Sequence, residues 1–262
     1  MASEEIIGLL GILSIAWWPI ALSIMFLLRK RFPPSNDRYA AYRALAYVFI
    51  FWVGRTMGTW VSRQVPIGAG AGIQDELSAL MFGLPIAIFW IYFAYHRIEG
   101  ASWKELGWNF SHIKREIVLG VLLGIALFIL VNVCWSYNFW KFWSPGPKIC
   151  VNMDIAVMLF IGSFAIASWQ EENIYRGYLQ PKLAVLTGKW KANAIQAVLF
   201  SVAHVGYWQF TSPIPFITNL TMVALMGFIL GLYRQRYDSL VAPFIAHGLV
   251  DFLPIFWWYL RY

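Results

Sequence analysis

The chain has 262 residues, of which 60% are hydrophobic and only 13% charged, about half the charged share of a soluble domain. That composition excludes an ordinary water-soluble globule and points to lipid as the main solvent. A net charge of +7 invites a nucleic-acid reading, but the Lys and Arg residues fall in short connections between apolar runs. The expected partner is therefore the anionic lipid bilayer, with no nucleic acid.

Taken in chain order, charge-free length predicts spans at about 6–28, 44–62, 77–95, 117–140, 155–179, 192–208, 216–233 and 240–260. Each is expected to be a helix, because an open sheet edge cannot satisfy its backbone in lipid. The first run, Ile6 to Leu28, follows Glu4 and Glu5 rather than a basic stretch and is long enough to cross, so it is expected to stay in the mature protein. The second carries Arg55, which either pairs with an interior carboxylate or snorkels to an interface. Between the third and fourth, His96 to Glu116 mixes Trp103, Leu106, Trp108, Phe110 and Ile113 with charges, the pattern of an amphipathic segment lying on the membrane surface. His96 and His112 there read as incidental. Gly120-x-x-x-Gly124 and Gly227-x-x-x-Gly231 place small residues one turn apart and read as packing surfaces.

Trp17, Trp18, Trp257, Trp258 and Tyr259 are expected to serve as anchors in interfacial aromatic belts. Cys134 and Cys150 form no metal-binding spacing. With no soluble domain and no internal repeat, the expected fold is all-α: a polytopic transmembrane bundle of about eight helices, one domain over 1–262.

Orientation follows from the basic residues of alternate connections. One set holds Arg29, Lys30, Arg31, Arg38, Arg43, Arg97, Lys104, Lys114, Arg115, Lys182, Lys189, Lys191, Arg234 and Arg236; the other holds Arg63, Lys141, Lys148 and Arg261. Fourteen against four predicts that the first set is cytoplasmic and that both termini face away from the cytoplasm.

An ionisable side chain at mid-membrane costs on the order of 3 kcal/mol, so those inside spans need a reason. Span five ends on Glu171-Glu172-Asn173-Ile174-Tyr175-Arg176, span six holds Phe200-Ser201-Val202-Ala203-His204, and span eight holds His247-Gly248-Leu249-Val250-Asp251. At a rise of ~1.5 Å per residue, Glu171 lies ~12 Å, His247 ~10 Å, Asp251 ~16 Å and His204 ~18 Å from the cytoplasmic ends of their spans. Three helices thus deliver carboxylates and imidazoles to one layer, nearer the cytoplasmic side. Glu172 and Arg176, four apart, read as an ion pair; Glu171 points about 100° away and is available as a general base. His247 and Asp251 share a face, which suits a carboxylate orienting an imidazole, although a protonated Asp251 could instead donate a hydrogen bond itself. Pro243, one turn before His247, is expected to kink its helix.

These residues resemble the CPBP intramembrane proteases, which include the CAAX prenyl endopeptidases of the Rce1 type. The family's ordered motifs EExxxR, FxxxH and HxxxN/D are similar to Glu171-Glu172-x-x-x-Arg176, Phe200-x-x-x-His204 and His247-x-x-x-Asp251, over roughly the last 110 residues. Arg176-Gly177-Tyr178-Leu179-Gln180, Gly231-Leu232-Tyr233 and Ser239-Leu240 with Pro243 are similar too. The resemblance implies that Glu171 and His204 activate the attacking water, that His247 and Asp251 stabilise the oxyanion, and that Glu172 and Arg176 support them. It also implies a lipidated or otherwise membrane-associated peptide substrate, cleaved near the cytoplasmic face of a multi-pass protein.

One Glu, two His and one Asp could also hold zinc with an open position. The resemblance and the lack of a compact HExxH favour no metal and no cofactor. There is no GxSG serine motif, and Tyr237-Asp238 has no GxGD partner. Two other functions stay open. A proton-coupled transporter would use Glu171, Glu172, His204, His247 and Asp251 as a relay, but would need a continuous polar path. A non-proteolytic immunity or chaperone-like protein would keep the fold without the reaction.

Overall fold

The computed structural model describes residues 4–33, 37–64, 84–139, 153–205 and 213–260, and every element among them is helical. Lys141, Lys148, Cys150 and Arg261 lie outside the described residues, as do the side chains of Arg63, Cys134, Trp257, Trp258 and Tyr259. The helices gather into two compact units, Met1–Ser102 and Trp103–Tyr262.

The first unit contains α1 (Glu4–Arg31), α2 (Asp37–Gln64) and α3, which runs as α-helix over Leu84–Trp90 and as wider π-helix over Ile91–Ile98. Its core is aromatic, with the rings of Trp18, Phe51 and Trp90 centred 5.5–6.0 Å apart. Beside it lies a buried ion pair that joins all three helices. Arg43 Nε and Nη2 each lie 2.9 Å from a different oxygen of Glu99, a forked geometry that favours arginine over lysine. Arg43 Nη1 also donates to the Phe32 carbonyl, and the Tyr47 hydroxyl lies 2.7 Å from Glu99 Oε1 and 3.1 Å from the Met25 carbonyl. Arg43, counted among the loop cations in the charge asymmetry, is therefore an interior residue of α2. Arg55 is half-buried in the same helix.

The second unit opens with the short α4 (Trp103–Leu106) and continues with α5 (Ile113–Phe139). An unbroken helical run, α6, follows over residues 153–187, with π-helical stretches at Gly162–Ser168 and Glu172–Leu179. It outruns the span expected at 155–179. Gly188, at φ +79°, turns the chain into α7 (Lys189–Val202). Then come α8 (Pro213–Tyr237) and α9 (Val241–Leu260). Within α8, Phe216–Tyr237 is the one helical stretch among the described residues long and apolar enough to cross a membrane.

Two expectations change here. The helix expected over 192–208 ends at Val202, and His204 sits in the turn beyond it, where its N–H bonds the Ser201 carbonyl at 2.9 Å. This three-residue closure tightens the helix end and stops its propagation. Pro243 does not lie mid-helix, because α9 begins at Val241 with the Val241 N–H bonded to Ser239 Oγ at 3.2 Å. In a first turn proline's missing N–H has no intrahelical acceptor to lose, so it causes no kink.

Small residues bring α9 close to its neighbours. A Cβ on Gly124 would meet Ala246 Cα at 3.0 Å, one on Gly120 would meet Ile245 Cβ at 2.8 Å, and one on Gly248 would meet the Phe164 ring at 2.5 Å. The helix that carries His247 and Asp251 is thus wedged between α5 and α6. The 103–112 segment also packs more deeply than an interfacial strap. Leu106 is buried, the Leu240 N–H bonds the Gly107 carbonyl at 2.8 Å, and Arg234 Nη2 bonds the Glu105 carbonyl at 3.1 Å. Gly107, at φ +102°, makes the turn that permits this. Trp103, Phe110 and Ile113 remain exposed.

Candidate active site

The six candidate residues come from α6, the turn after α7, and α9, and their polar atoms converge. Glu172 and Arg176 stand four apart on α6 and pair at 3.0 Å between Oε1 and Nη1, both side chains fully buried. A face of the guanidinium lies over the Phe200 ring, with Cζ 4.1 Å from its centre. Phe200 also packs against the imidazoles of His204 and His247, at 4.7 and 5.6 Å between ring centres. The aromatic residue of the FxxxH pattern is the body around which the charged groups are arranged.

Glu171 is buried, and its Oε2 faces two imidazoles, 3.6 Å from His204 Nε2 and 3.8 Å from His247 Nε2. The hydrogen bonds at the far side of each ring define its tautomer. His204 Nδ1 is 2.8 Å from the Phe200 carbonyl, which can only accept, so Nδ1 carries the proton and the Nε2 of a neutral ring is a lone pair aimed at Glu171. His247 Nδ1 is 2.8 Å from Glu172 Oε1, the oxygen that Arg176 also holds. A carboxylate fixed by a guanidinium accepts here, so His247 donates through Nδ1 and turns Nε2 toward Glu171.

Asp251 Oδ2 lies 3.5 Å from that same Nε2 of His247. The four-residue spacing pointed to Asp251 as the group that orients His247. In the structure the orienting hydrogen bond comes from Glu172, 75 residues away. Asp251 and His204 are the open edge of the cluster, their side chains 36% and 19% exposed, whereas Glu171, Glu172, Arg176 and His247 are closed in. His112 is exposed and outside this group.

Residues that motif reading passed over complete the arrangement. Asn173 Nδ2 donates to the Trp169 carbonyl at 2.7 Å and its Oδ1 accepts from Trp108 Nε1 at 2.9 Å, tying the turn after α4 to the residue beside Glu172. Ser168 Oγ bonds the Phe244 carbonyl at 2.5 Å, joining α6 to the first turns of α9. The signal for Ser168 was a polar residue ending an otherwise apolar run, whereas Asn173 is hidden among the charged residues of the Glu171–Arg176 motif. Among the described residues, no group of three or more His, Cys, Asp or Glu side chains is placed to hold a metal ion.

Residues 153–253 match the family model described as type II CAAX prenyl endopeptidase, Rce1-like. This is the family that the three motifs resemble, and it is a family of proteases. The match runs from the start of α6 into α9 and includes all six residues of the cluster. No curated protein and no solved structure matches the chain.

Proposed function

We propose that the chain is an intramembrane endopeptidase that hydrolyses a peptide bond with a water activated by Glu171 and His204. The observation that carries this reading is the pair of bases, Glu171 Oε2 and His204 Nε2, 3.6 Å apart with His204 Nδ1 committed to a carbonyl. Two acceptors at that separation can each take a hydrogen bond of about 2.8 Å from one water molecule. The water is then polarised through both protons, with its remaining lone pairs turned to the open edge.

On this reading the water oxygen adds to the scissile carbonyl carbon while its proton passes to Glu171 or His204. The developing oxyanion is met by donors at His247 Nε2, when that nitrogen carries a proton, and at a protonated Asp251. Collapse breaks the C–N bond, and the proton held by Glu171 or His204 returns to the leaving amine. Glu172 and Arg176 do not touch the substrate; they hold His247 in register.

A membrane setting is supported by large apolar side chains facing outward in both units, such as Ile15 at 75%, Phe49 at 64% and Trp190 at 69% exposure. Such surfaces are a liability in water and ordinary in lipid. With eight long helical runs among the described residues, the chain reads as a polytopic bundle whose site lies nearer the cytoplasmic face, by the charge asymmetry of its connections. The substrate we assign is a lipidated, CAAX-type C-terminus, the class named by the matched family.

The test is cleavage of a farnesylated CAAX peptide by the purified protein in lipid nanodiscs. Glu171→Ala should lower the rate by about 10²–10⁴-fold with the protein folded and inserted, the range expected for loss of a general base. Wild-type turnover in that variant would refute the mechanism.

A further inference from the structure

His204 lies past the end of α7, so nothing within its own helix sets its height except the axial position of α7 itself. Apolar packing resists separation of two helices but, being non-directional, singles out an axial register less sharply than hydrogen bonds do. The face of α7 that meets α8 is not apolar.

Asn193, Gln196, Phe200 and His204 recur at spacings of three, four and four and share one helical face. Asn193 Oδ1 accepts from Gln180 Nε2 at 3.1 Å and from Gln196 Nε2 at 2.8 Å, while its Nδ2 donates to the Phe228 carbonyl at 3.0 Å. The second hydrogens of the two glutamine amides go to α8, Gln180 to the Gly231 carbonyl and Gln196 to the Gly227 carbonyl, each at 3.0 Å. Further along, Ser201 Oγ donates to the Leu220 carbonyl at 2.6 Å. The three amides are fully buried, and every donor hydrogen on their nitrogens except one of Asn193's has an acceptor in these bonds.

Gly227 and Gly231 make this possible. A Cβ on Gly231 would fall 2.6 Å from Gln196 Nε2, and one on Gly227 would fall 3.0 Å from both Arg176 Nη2 and the Phe200 ring. The same close approach that admits the amides thus also brings α8 against the guanidinium that holds Glu172.

We infer that Gln180, Asn193, Gln196 and Ser201 form a hydrogen-bonded rail that registers α7 along α8 and thereby sets His204 opposite Glu171, making them positioning residues for the reaction. This role rests on the proteolysis proposed above, and the geometry it governs is measurable without it. Gln196 is ~12 Å along the helix from His204 at 1.5 Å per residue, too far to act on substrate directly.

The experiment uses the full chain in nanodiscs, farnesylated CAAX peptide as substrate, and ¹⁵N-histidine labelling to follow the His204 imidazole. Gln196→Leu and Ser201→Ala should each lower kcat, Gln196→Leu by about 10- to 100-fold, the scale of an ångström-sized misplacement. KM should stay close to wild type, and the His204 Nε2 resonance should move. If Gln196→Leu does not fold, Ser201→Ala, which removes a single bond, decides. Wild-type kcat with an unmoved His204 signal, or a raised KM at unchanged kcat, overturns the rail. If the wild-type protein itself does not cleave the peptide, the proposed reaction fails, and the His204 resonance alone decides the rail.

Discussion

At the residue scale, the cluster is governed by which nitrogen of each histidine is already committed. His204 gives Nδ1 to a carbonyl of its own helix and His247 gives Nδ1 to Glu172, so both Nε2 atoms look inward toward Glu171. The Glu172–Arg176 pair was legible because helical spacing is local. The Glu172–His247 bond was not, since it joins α6 to α9 and no spacing rule reaches across 75 residues. That bond changes what Asp251→Asn should do. With Glu172 as the orienting group, the asparagine amide supplies a permanent donor beside His247 Nε2. The variant should keep kcat within about threefold of wild type, since one neutral hydrogen bond replaces another. A pH–rate profile would check it, and a loss that deepens steadily with rising pH would return the orienting role to Asp251. Glu172→Ala should instead cost both activity and stability, about 3–5 kcal/mol for stranding a buried arginine, read by thermal unfolding in detergent.

Among the elements, run length and flanking charge located eight helical stretches, while their ends and internal geometry depended on tertiary contacts. The π-helical turns of α6 and the early stop of α7 leave no mark on charge-free length. Asn193 and Gln196 did leave one, as amides within a charge-free run opposite a Gly-x-x-x-Gly pair, but their partners are carbonyls, which sequence does not distinguish. The Gly120/Gly124 surface behaves as the small-residue pattern suggested, packing on Ala242, Ile245, Ala246 and Leu249 of α9. Gly124→Leu should therefore push α9 outward and destabilise the second unit by about 1–3 kcal/mol or more, as overpacking does. Gly58→Ala is the control, because a Cβ there meets nothing within 4 Å. Equal melting temperatures for the two variants would show that the α5–α9 contact is slack.

For the whole molecule, the charge asymmetry and the buried ion pair pull on the same residues. Arg43 belongs to the fourteen cations that set the expected orientation, yet it forms an interior tie with Glu99 rather than a headgroup contact. Its sequence signature is that of any loop cation, and Glu99 lies 56 residues away. Thirteen against four still predicts that Lys189 and Arg234 are cytoplasmic and Lys148 is on the other side. Cysteine substitutions at 148 and 189, labelled with a membrane-impermeant reagent in sealed vesicles, should react from opposite faces. Labelling of both from one face would remove a crossing between them.

Glu172 serves a cation on its own helix and an imidazole on another through a single oxygen, and this limits how the position can drift over evolutionary time. A salt bridge whose only task is to hold a helix can be inverted by paired substitutions, with little loss. Here the inverted pair, Glu172→Arg with Arg176→Glu, would keep its attraction but present a guanidinium to His247 Nδ1 and abolish the bond that aims the ring. Such a double variant should recover part of the stability lost in either single charge reversal while remaining inactive, so lineages that keep the reaction should never show the swap. Cleavage by the inverted protein would mean that the polarity of this pair is an accident of descent.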